Sequence, residues 1–430
     1  MSKNREKTAD EVIIITQVFH PDTQATSQLL STLATALSRS QPQNETQSLK
    51  ITVLASYPSK VRGQAKRAQS LEQWGDVLIK RGGLKIDSKK SLFHRAFSYL
   101  SYLLWLLYVL TFKVNKNHRI LVVTNPPFAP LIVYIATRLR SLTRSSFAYY
   151  VLLHDIYPDG LLALGKIKSE YWWVKLWRSL NRQTFAAAER VITLGRDMSE
   201  HCKNVYQLSS DDLTVITNWS PVDFDLAKKC QASQTDLWQQ LPANAQNPKV
   251  MLVQYSGNMG LWHDIDGIVE AADLVKDLPI HFLMIGDGRR KPSAQAYAQS
   301  LDLNNMTWLP FQDLDKLSDS LQCTHLSLVS QRPEVLGIMV PSKYYGILAS
   351  GRAVLAQAPA QSEIALSIKE HQCGVVLSDP SPQALAAQLR TLYLDREQVD
   401  QMGIHAYHAY QKEYSFSQAV NLFRALLNKN

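Results

Sequence analysis

Short apolar runs rich in Val, Ile and Leu recur along this chain, with amphipathic segments between them. The first half carries 12–16 (VIIIT), 51–55, 120–124 (ILVVT), 149–153 and 191–194. The second half carries 250–255 (VMLVQY), 280–285 (IHFLMI), 306–309, 326–329, 354–357 and 375–377. Helical periods lie between them, among them 28–37, 265–275, 294–301, 314–321 and 382–394. Short β-branched runs separated by helices of this length predict parallel βαβ units. The runs alternate little between apolar and polar residues, which predicts strands covered on both faces. The expected class is therefore α/β.

One polar stretch, 228–248 (KKCQASQTDLWQQLPANAQNP), interrupts the pattern and leaves α/β halves of similar size on either side. A chain of 430 residues has room for two such domains. The expected organisation is two Rossmann-like domains with parallel sheets facing a cleft. The first is residues 1–220, followed by a linker at 221–248. The second is 249–410, and a last helix at 411–430 crosses back to the first domain.

The chain carries 46 Lys and Arg against 37 Asp and Glu, a net charge of +9. That excess favours an anionic partner. It is uneven: residues 60–95 hold ten Lys and Arg and only three acids. No nucleic-acid-binding signature accompanies it, so no nucleic-acid partner is expected. Cys202, Cys230, Cys323 and Cys373 lie far apart, which predicts neither a zinc site nor a disulfide scaffold and fits a reducing cytoplasm. The charged start, MSKNREKTADE, lacks the apolar core of a secretory signal. Residues 96–112 (AFSYLSYLLWLLYVLTF) contain no charge. With the basic run before them they suit a helix lying on an anionic membrane surface. A helix buried against a sheet and a short membrane span are the alternatives.

The candidate chemistry concentrates in Arg332–Arg352, RPEVLGIMVPSKYYGILASGR. Glu334 precedes a glycine-containing turn, and Pro341, Ser342 and Lys343 open a short helix that Gly351 stops. A carboxylate accepts hydrogen bonds from sugar hydroxyls. An ammonium beside helix-start amides suits a phosphate. Ser342 is the expected cap. Two glycine turns follow strands. Gly257, Asn258 and Gly260 form one; Gly286, Asp287 and Arg289 belong to the other. Both let backbone approach a ligand closely. In the first half, His154 and Asp155 end a strand in LHDIYPD, where a histidine faces a cleft and a carboxylate is placed to orient it.

Taken in order, the motifs resemble the GT4 family of nucleotide-sugar glycosyltransferases, which have a GT-B fold. The nearest subgroup is the WbuB-like enzymes of surface-polysaccharide assembly. The matching stretches are TQVFHPDTQATS at 16–27, VVTNPPFAP at 122–130, LLHDIYPDGLLALG at 152–165 and VITLGRDM at 191–198. They continue with VITNWSPVD at 215–223, QYSGNMGLWHDID at 254–266, FLMIGDG at 282–288 and VPSKYYGILASGRAVLA at 340–356. The resemblance implies a retaining transferase of hexosyl or N-acetylhexosaminyl groups, acting in exopolysaccharide or glycolipid assembly. Its implied donor is a UDP- or GDP-sugar, and its implied acceptor is lipid-linked or a glycan. It implies no cofactor and no bound metal, and a cytoplasmic location at the inner face of the plasma membrane. Glu334, Lys343, His154 and Asp155 become the implied catalytic residues. Gly257, Asn258, Gly260, Gly286, Asp287, Arg289, Arg332, Pro341 and Ser342 become the implied donor-binding residues.

Three departures stand out. Gly346 occupies the place of the family's second glutamate. Leu261-Trp262 stands where many relatives carry an arginine. The loop His20–Ser27 has no glycine. Arg332, Arg289 and Arg196 are the candidate replacements for the missing cation. Two other classes stay open on the residues: a nucleotide-sugar epimerase of the same fold, and a non-catalytic sugar-nucleotide-binding scaffold.

Overall fold

A computed structural model describes residues 11–22, 24–39, 49–58, 68–84, 92–222, 224, 236–312 and 316–428. The chain builds two sheets. The first has eight strands: β1 (Glu11–Ile15), β2 (Lys50–Ala55), β3 (Leu71–Trp74), β4 (Val77–Arg81), β5 (Arg119–Val123), β6 (Ala148–Leu152), β7 (Arg190–Thr193) and β8 (Leu213–Val215). Their order across the sheet is β3-β4-β2-β1-β5-β6-β7-β8, and only β3 runs antiparallel. The second sheet has six strands: β9 (Met251–Ser256), β10 (Ile280–Ile285), β11 (Met306–Leu309), β12 (Leu326–Ser330), β13 (Ala353–Gln357) and β14 (Gly374–Leu377). They lie in the order β11-β10-β9-β12-β13-β14, all parallel.

Helices α1 (Ala25–Ser38), α2 (Leu92–Phe112), α3 (Ala129–Ser141), α4 (Asp159–Ala163), α5 (Trp172–Ala186) and α6 (Arg196–Tyr206) flank the first sheet. The short α7 (Asp236–Gln239) follows. Around the second sheet stand α8 (Ile265–Leu274), α9 (Lys291–Ser300), α10 (Leu317–Gln322), α11 (Lys343–Ala349), α12 (Glu363–His371), α13 (Pro382–Leu394) and α14 (Arg396–Ala409). The last helix, α15 (Phe416–Leu427), lies on α1, where Arg424 donates to the Ala36 carbonyl at 2.6 Å. Trp219 packs against both Phe416 and Phe423 there.

Central strands are apolar on both sides because helices cover both sides: Val12, Ile14, Val53, Val122, Val253 and Phe282 are fully buried. The sequence missed β3 and β4, which hide inside the basic run. The left-handed Gly75 (φ 57°) makes the turn between them. Arg81, read as part of that basic surface, is instead buried. Its guanidinium donates to the carbonyls of Ser56 and His20 and pairs with Glu72. Residues 59–67 and 85–91 of the same run lie outside the described residues. The stretch expected as linker is partly built in: Leu237, Leu241 and Ala245 are buried against Leu252, Leu283 and Leu309 of the second sheet.

The uncharged segment 96–112 forms most of α2, and its two faces differ. Tyr102, Leu106 and Leu110 are fully buried in the first core, and Tyr102 donates to the Thr16 and Leu54 carbonyls at 3.0 Å. Phe97, Leu100, Leu104, Tyr108 and Phe112 face outward and are each more than half exposed. Among the described residues no helix is long and apolar enough to cross a membrane, so the span reading falls.

Candidate active site

The strand order of the second sheet reverses direction between β9 and β12. Ligands of open α/β sheets bind in the crevice at such a point, beyond the carboxyl ends of the strands. The loops leaving β9 and β12 carry Gly257–Gly260 and Gln331–Ser342, and Lys343 opens α11 directly after them. The Lys343 ammonium lies 3.6 Å from the ring centroid of Tyr255, a β9 residue. It is buried and has no hydrogen-bond partner among the described residues. Burial holds its pKa well below the usual lysine value. His263, just beyond the β9 loop, is also buried. Its Nδ1 lies against the Ser330 carbonyl, and burial with the nearby Lys343 pushes its pKa down to about 3. At neutral pH it is uncharged.

The two glycine loops form one backbone platform beside this lysine. Gly257 N–H donates to Ile285 at 2.9 Å, Met259 N–H to Asp287 at 2.8 Å and Arg290 N–H to Met259 at 3.0 Å. Gly257 has φ 140°, and a Cβ there would lie 3.1 Å from Lys343 Cε. A Cβ on Gly286 would lie 2.0 Å from the Gly257 carbonyl oxygen. Both positions therefore need glycine, one for the lysine and one for the other loop. Tyr255 ties the platform further, its hydroxyl donating to the Asn258 carbonyl at 2.9 Å. Gly260 is buried behind Asn258, whereas Asn258 and Asp287 are exposed.

The structure revises several expected partners. Ser342 precedes α11 but makes no capping hydrogen bond, because it sits in helical rather than extended backbone. Pro341 is buried. Glu334 stands exposed on a turn, Pro333–Val335, that packs against α4, and it pairs with Arg332 at 3.4 Å. Arg289 is exposed on the second glycine loop. Arg196 is not available to a phosphate. It binds Glu363 through Nε at 2.9 Å and Nη2 at 3.0 Å, and also holds Glu370.

From the first sheet, Thr124 at the end of β5 receives the backbone N–H groups of His154 (3.0 Å) and Asp155 (3.4 Å) through its Oγ1. That fixes the loop after β6. The expected orienting bond from Asp155 to His154 is absent, and neither side chain has a hydrogen-bond partner among the described residues. Enclosure alone pushes His154 down to about 4 and Asp155 up to about 6.

Four contacts bring these loops to the Lys343 side. Ile156 N–H donates to the Ile338 carbonyl at 3.2 Å. Gly337 N–H points at Asp197 Oδ2 at 3.4 Å. The Arg196–Glu363 pair joins α6 to α12. Trp262 reaches over from the β9 loop so closely that a Cβ on Gly160 would lie 2.6 Å from its ring. Thus the loops that carry His154, Asp155 and Glu334 meet near the start of α11, where Lys343 stands.

Sequence reading missed Tyr255, Thr124, His263 and Glu363. A tyrosine in an apolar strand reads as core, and Glu363 acquires its role only from Arg196, 167 residues away. Trp262 departs from the family pattern, but its reach across the cleft has no local signal.

Residues 237–409 match the family model described as glycosyl transferases group 1. WbjE of Pseudomonas aeruginosa, named as a glycosyltransferase, is 25% identical over 284 residues, covering 64% of this chain and 66% of its own length. The chain thus spans slightly under two thirds of that relative. WcaI of Escherichia coli (strain K12), named as a colanic acid biosynthesis glycosyl transferase, is 28% identical over 301 residues, covering 68% and 72%. Among solved structures, sucrose-phosphate synthase from Thermosynechococcus elongatus superposes with a TM-score of 0.70 at 14% identity, covering 97% and 99%. WaaG, a glycosyltransferase involved in lipopolysaccharide biosynthesis, gives 0.67 at 13%, covering 97% and 100%. Anabaena HepE in complex with UDP and glucose gives 0.66 at 15%, covering 98% and 100%. The architecture is the GT-B fold.

Proposed function

We propose that this chain, whose residues 237–409 are a group 1 glycosyltransferase domain within a GT-B fold, moves a hexosyl or N-acetylhexosaminyl group from a nucleotide diphosphate sugar to a lipid-linked acceptor. The observation that carries the reading is the ammonium of Lys343, buried beneath the Gly257 loop with no hydrogen-bond partner or counter-ion among the described residues. A charge held out of water without a counter-ion is costly unless a ligand supplies one. A diphosphate does so, and the ammonium then stabilises the negative charge that develops as the sugar leaves. The amides of the Gly257–Gly260 loop contribute to the same anion. UDP-sugar is the first donor to test, since HepE was solved with UDP and glucose, and GDP-sugar is the second.

In this reading Glu334 accepts hydrogen bonds from donor-sugar hydroxyls at the cleft rim. Uncharged His154 hydrogen-bonds the sugar at the reacting end, with Asp155 beside it. Retention of the anomeric configuration and independence of metal belong to the proposal: Lys343 supplies the positive charge at the leaving group. Trp262 on Gly160 and the Ile156–Ile338 bond narrow the cleft and keep water from competing with the acceptor. The names of WcaI and WaaG support a role in cell-surface polysaccharide assembly. The outer face of α2 supports attachment at the inner face of the plasma membrane.

The test is nucleotide-dependent stabilisation followed by transfer. UDP or GDP should raise the thermal midpoint, because a ligand bound only by the folded state stabilises it. The matching sugar nucleotide should then label a polyprenyl-linked acceptor. Absence of stabilisation by either nucleotide overturns the reading; stabilisation without transfer to any acceptor leaves a binding protein.

A further inference from the structure

Nineteen large apolar side chains of the described residues are strongly exposed, and eleven of them fall between residues 97 and 176. All eleven lie on or directly beside α2, α3 and α5. These helices form one layer, since α3 packs against both of the others. Five are the outward stripe of α2, and Leu139 and Leu142 stand at the end of α3. The remaining four open α5: Tyr171 (44% exposed), Trp172 (74%), Trp173 (36%) and Leu176 (49%). The start of α5 is held rigidly. Trp177 stacks on Phe128 of the α3 approach at 4.4 Å between ring centroids, and Val174 is fully buried. The exposed rings are therefore displayed from a fixed base.

Charge follows the same surface. Residues 92–182 contain twelve Lys and Arg against three acids, an excess equal to the net +9 of the whole chain. Two of the acids, Asp155 and Asp159, are enclosed, and Asp159 is tied to Arg178. Lys113, Arg138, Lys166, Lys168, Lys175 and Arg182 are exposed. Such a face repels a second copy of itself. It matches a surface that is apolar within and anionic at its boundary.

We infer that the aromatic start of α5, Tyr171–Leu176, is a second membrane anchor beside α2, seating the α2–α3–α5 layer on an anionic bilayer. The inference deepens the membrane attachment proposed above and adds an orientation. α5 follows directly on the loop that carries His154, Asp155 and α4, so this anchor holds the acceptor side of the cleft at the lipid headgroups. An acceptor carried by a lipid then reaches His154 without leaving the membrane.

The experiment is sedimentation of the full chain with vesicles of phosphatidylcholine, with and without phosphatidylglycerol, at low and high salt. The wild type should bind the anionic vesicles, and binding should fall as salt rises. W172S/W173S should lose binding by on the order of tenfold. Lys175→Gln should weaken it about fivefold, the equivalent of one interfacial cation. Lys175→Gln should keep the wild-type thermal midpoint, and W172S/W173S should unfold cooperatively with a slightly lower one, since Trp172 is 74% but Trp173 only 36% exposed. As a separate arm, L100S/L104S tests α2 alone. If W172S/W173S binds like the wild type while L100S/L104S does not, the α5 anchor is overturned and attachment through α2 survives. If the wild type ignores anionic vesicles, both fall. A concentration-dependent dimer that W172S/W173S abolishes also overturns the inference in favour of self-association.

Discussion

The ammonium of Lys343 sits 3.6 Å above the centre of the Tyr255 ring, buried and with no hydrogen-bond acceptor among the described residues. The ring face supplies an attraction there, and it is weaker than an ion pair. Such an arrangement favours a ligand over the folded state. Lys343→Met should therefore raise stability and abolish function together. The expected change is a gain of about 1–2 kcal/mol at pH 7, with transfer falling on the order of 10²-fold or more. The sign of the pH dependence follows from the depressed lysine pKa. The wild type loses stability as pH falls from the unfolded lysine range through the folded value. The advantage of the methionine variant should thus shrink toward pH 10 and disappear when nucleotide diphosphate is bound. Thermal midpoints of both proteins across pH, with and without nucleotide, check this.

Arg196 and Glu363 join the two sheets through a guanidinium and a carboxylate that is 5% exposed. Glu370 completes the clamp from a more exposed position. Removing the Arg196 side chain leaves the buried Glu363 the backbone N–H of residue 196, at 2.7 Å, but takes away its counter-charge. Arg196→Ala should cost about 2–3 kcal/mol, short of a fully buried pair because the arginine itself reaches water. Glu370→Gln should cost under about 1 kcal/mol. If the clamp also holds the cleft closed, Arg196→Ala raises KM for both substrates more than it lowers kcat. Urea unfolding and steady-state kinetics on the two variants separate the contributions.

The parallel strands were legible because strands buried on both faces must be continuously apolar, and few other elements of that length are. Val12–Ile15 and Val253–Tyr255 carry that signature. Lys343 and Gly257 were legible because a glycine turn after a strand and a Pro-Ser-Lys before a helix are local patterns. The rest depends on distance in sequence. Nothing near Arg81 marks it as a buried tie for the His20 loop, and nothing near Arg196 reveals Glu363. The face of α2 that touches the core looks like the face that does not, since both are apolar. Only the packing of Tyr102 and Leu106 separates them.

Asp155 and His154 are adjacent, and enclosure moves their pKa values past each other, up to about 6 for the aspartate and down to about 4 for the histidine. The acid limb of activity should accordingly belong to the carboxylate. Activity should fall below about pH 6 as Asp155 takes up a proton, while His154 stays uncharged. In Asp155→Asn that limb should vanish from kcat/KM, leaving a lower, flatter profile. Stability moves the opposite way. The raised pKa means the folded state resists ionisation, so a stabilising contribution present below the unfolded aspartate pKa is lost as pH rises through 6. Fully expressed, this is worth about 3 kcal/mol; water at the cleft wall reduces it to about 1–2 kcal/mol. Asp155→Asn should be more stable than the wild type by that amount at pH 8 and no more stable at pH 3.5.

Gly346 marks the place where the family resemblance leads one to expect a second glutamate. It lies buried in α11, and the atom nearest to a Cβ built there is Leu321 Cδ1 of α10, at 3.7 Å. Leu321 is itself 4% exposed. A carboxylate introduced at this point meets the apolar packing around Leu321. Gly346→Glu should therefore not improve donor affinity. It should destabilise the protein by about 2–4 kcal/mol through desolvation of an unpaired acid, eased as pH falls and the acid is neutralised. Gly346→Ala, which adds only a methyl at ordinary contact distance, should be neutral or slightly stabilising, since alanine favours a helix by up to about 1 kcal/mol over glycine. Nucleotide titration and thermal unfolding of the two variants give the comparison. Tighter nucleotide binding by Gly346→Glu would mean that α11 turns in solution to present this position to the cleft.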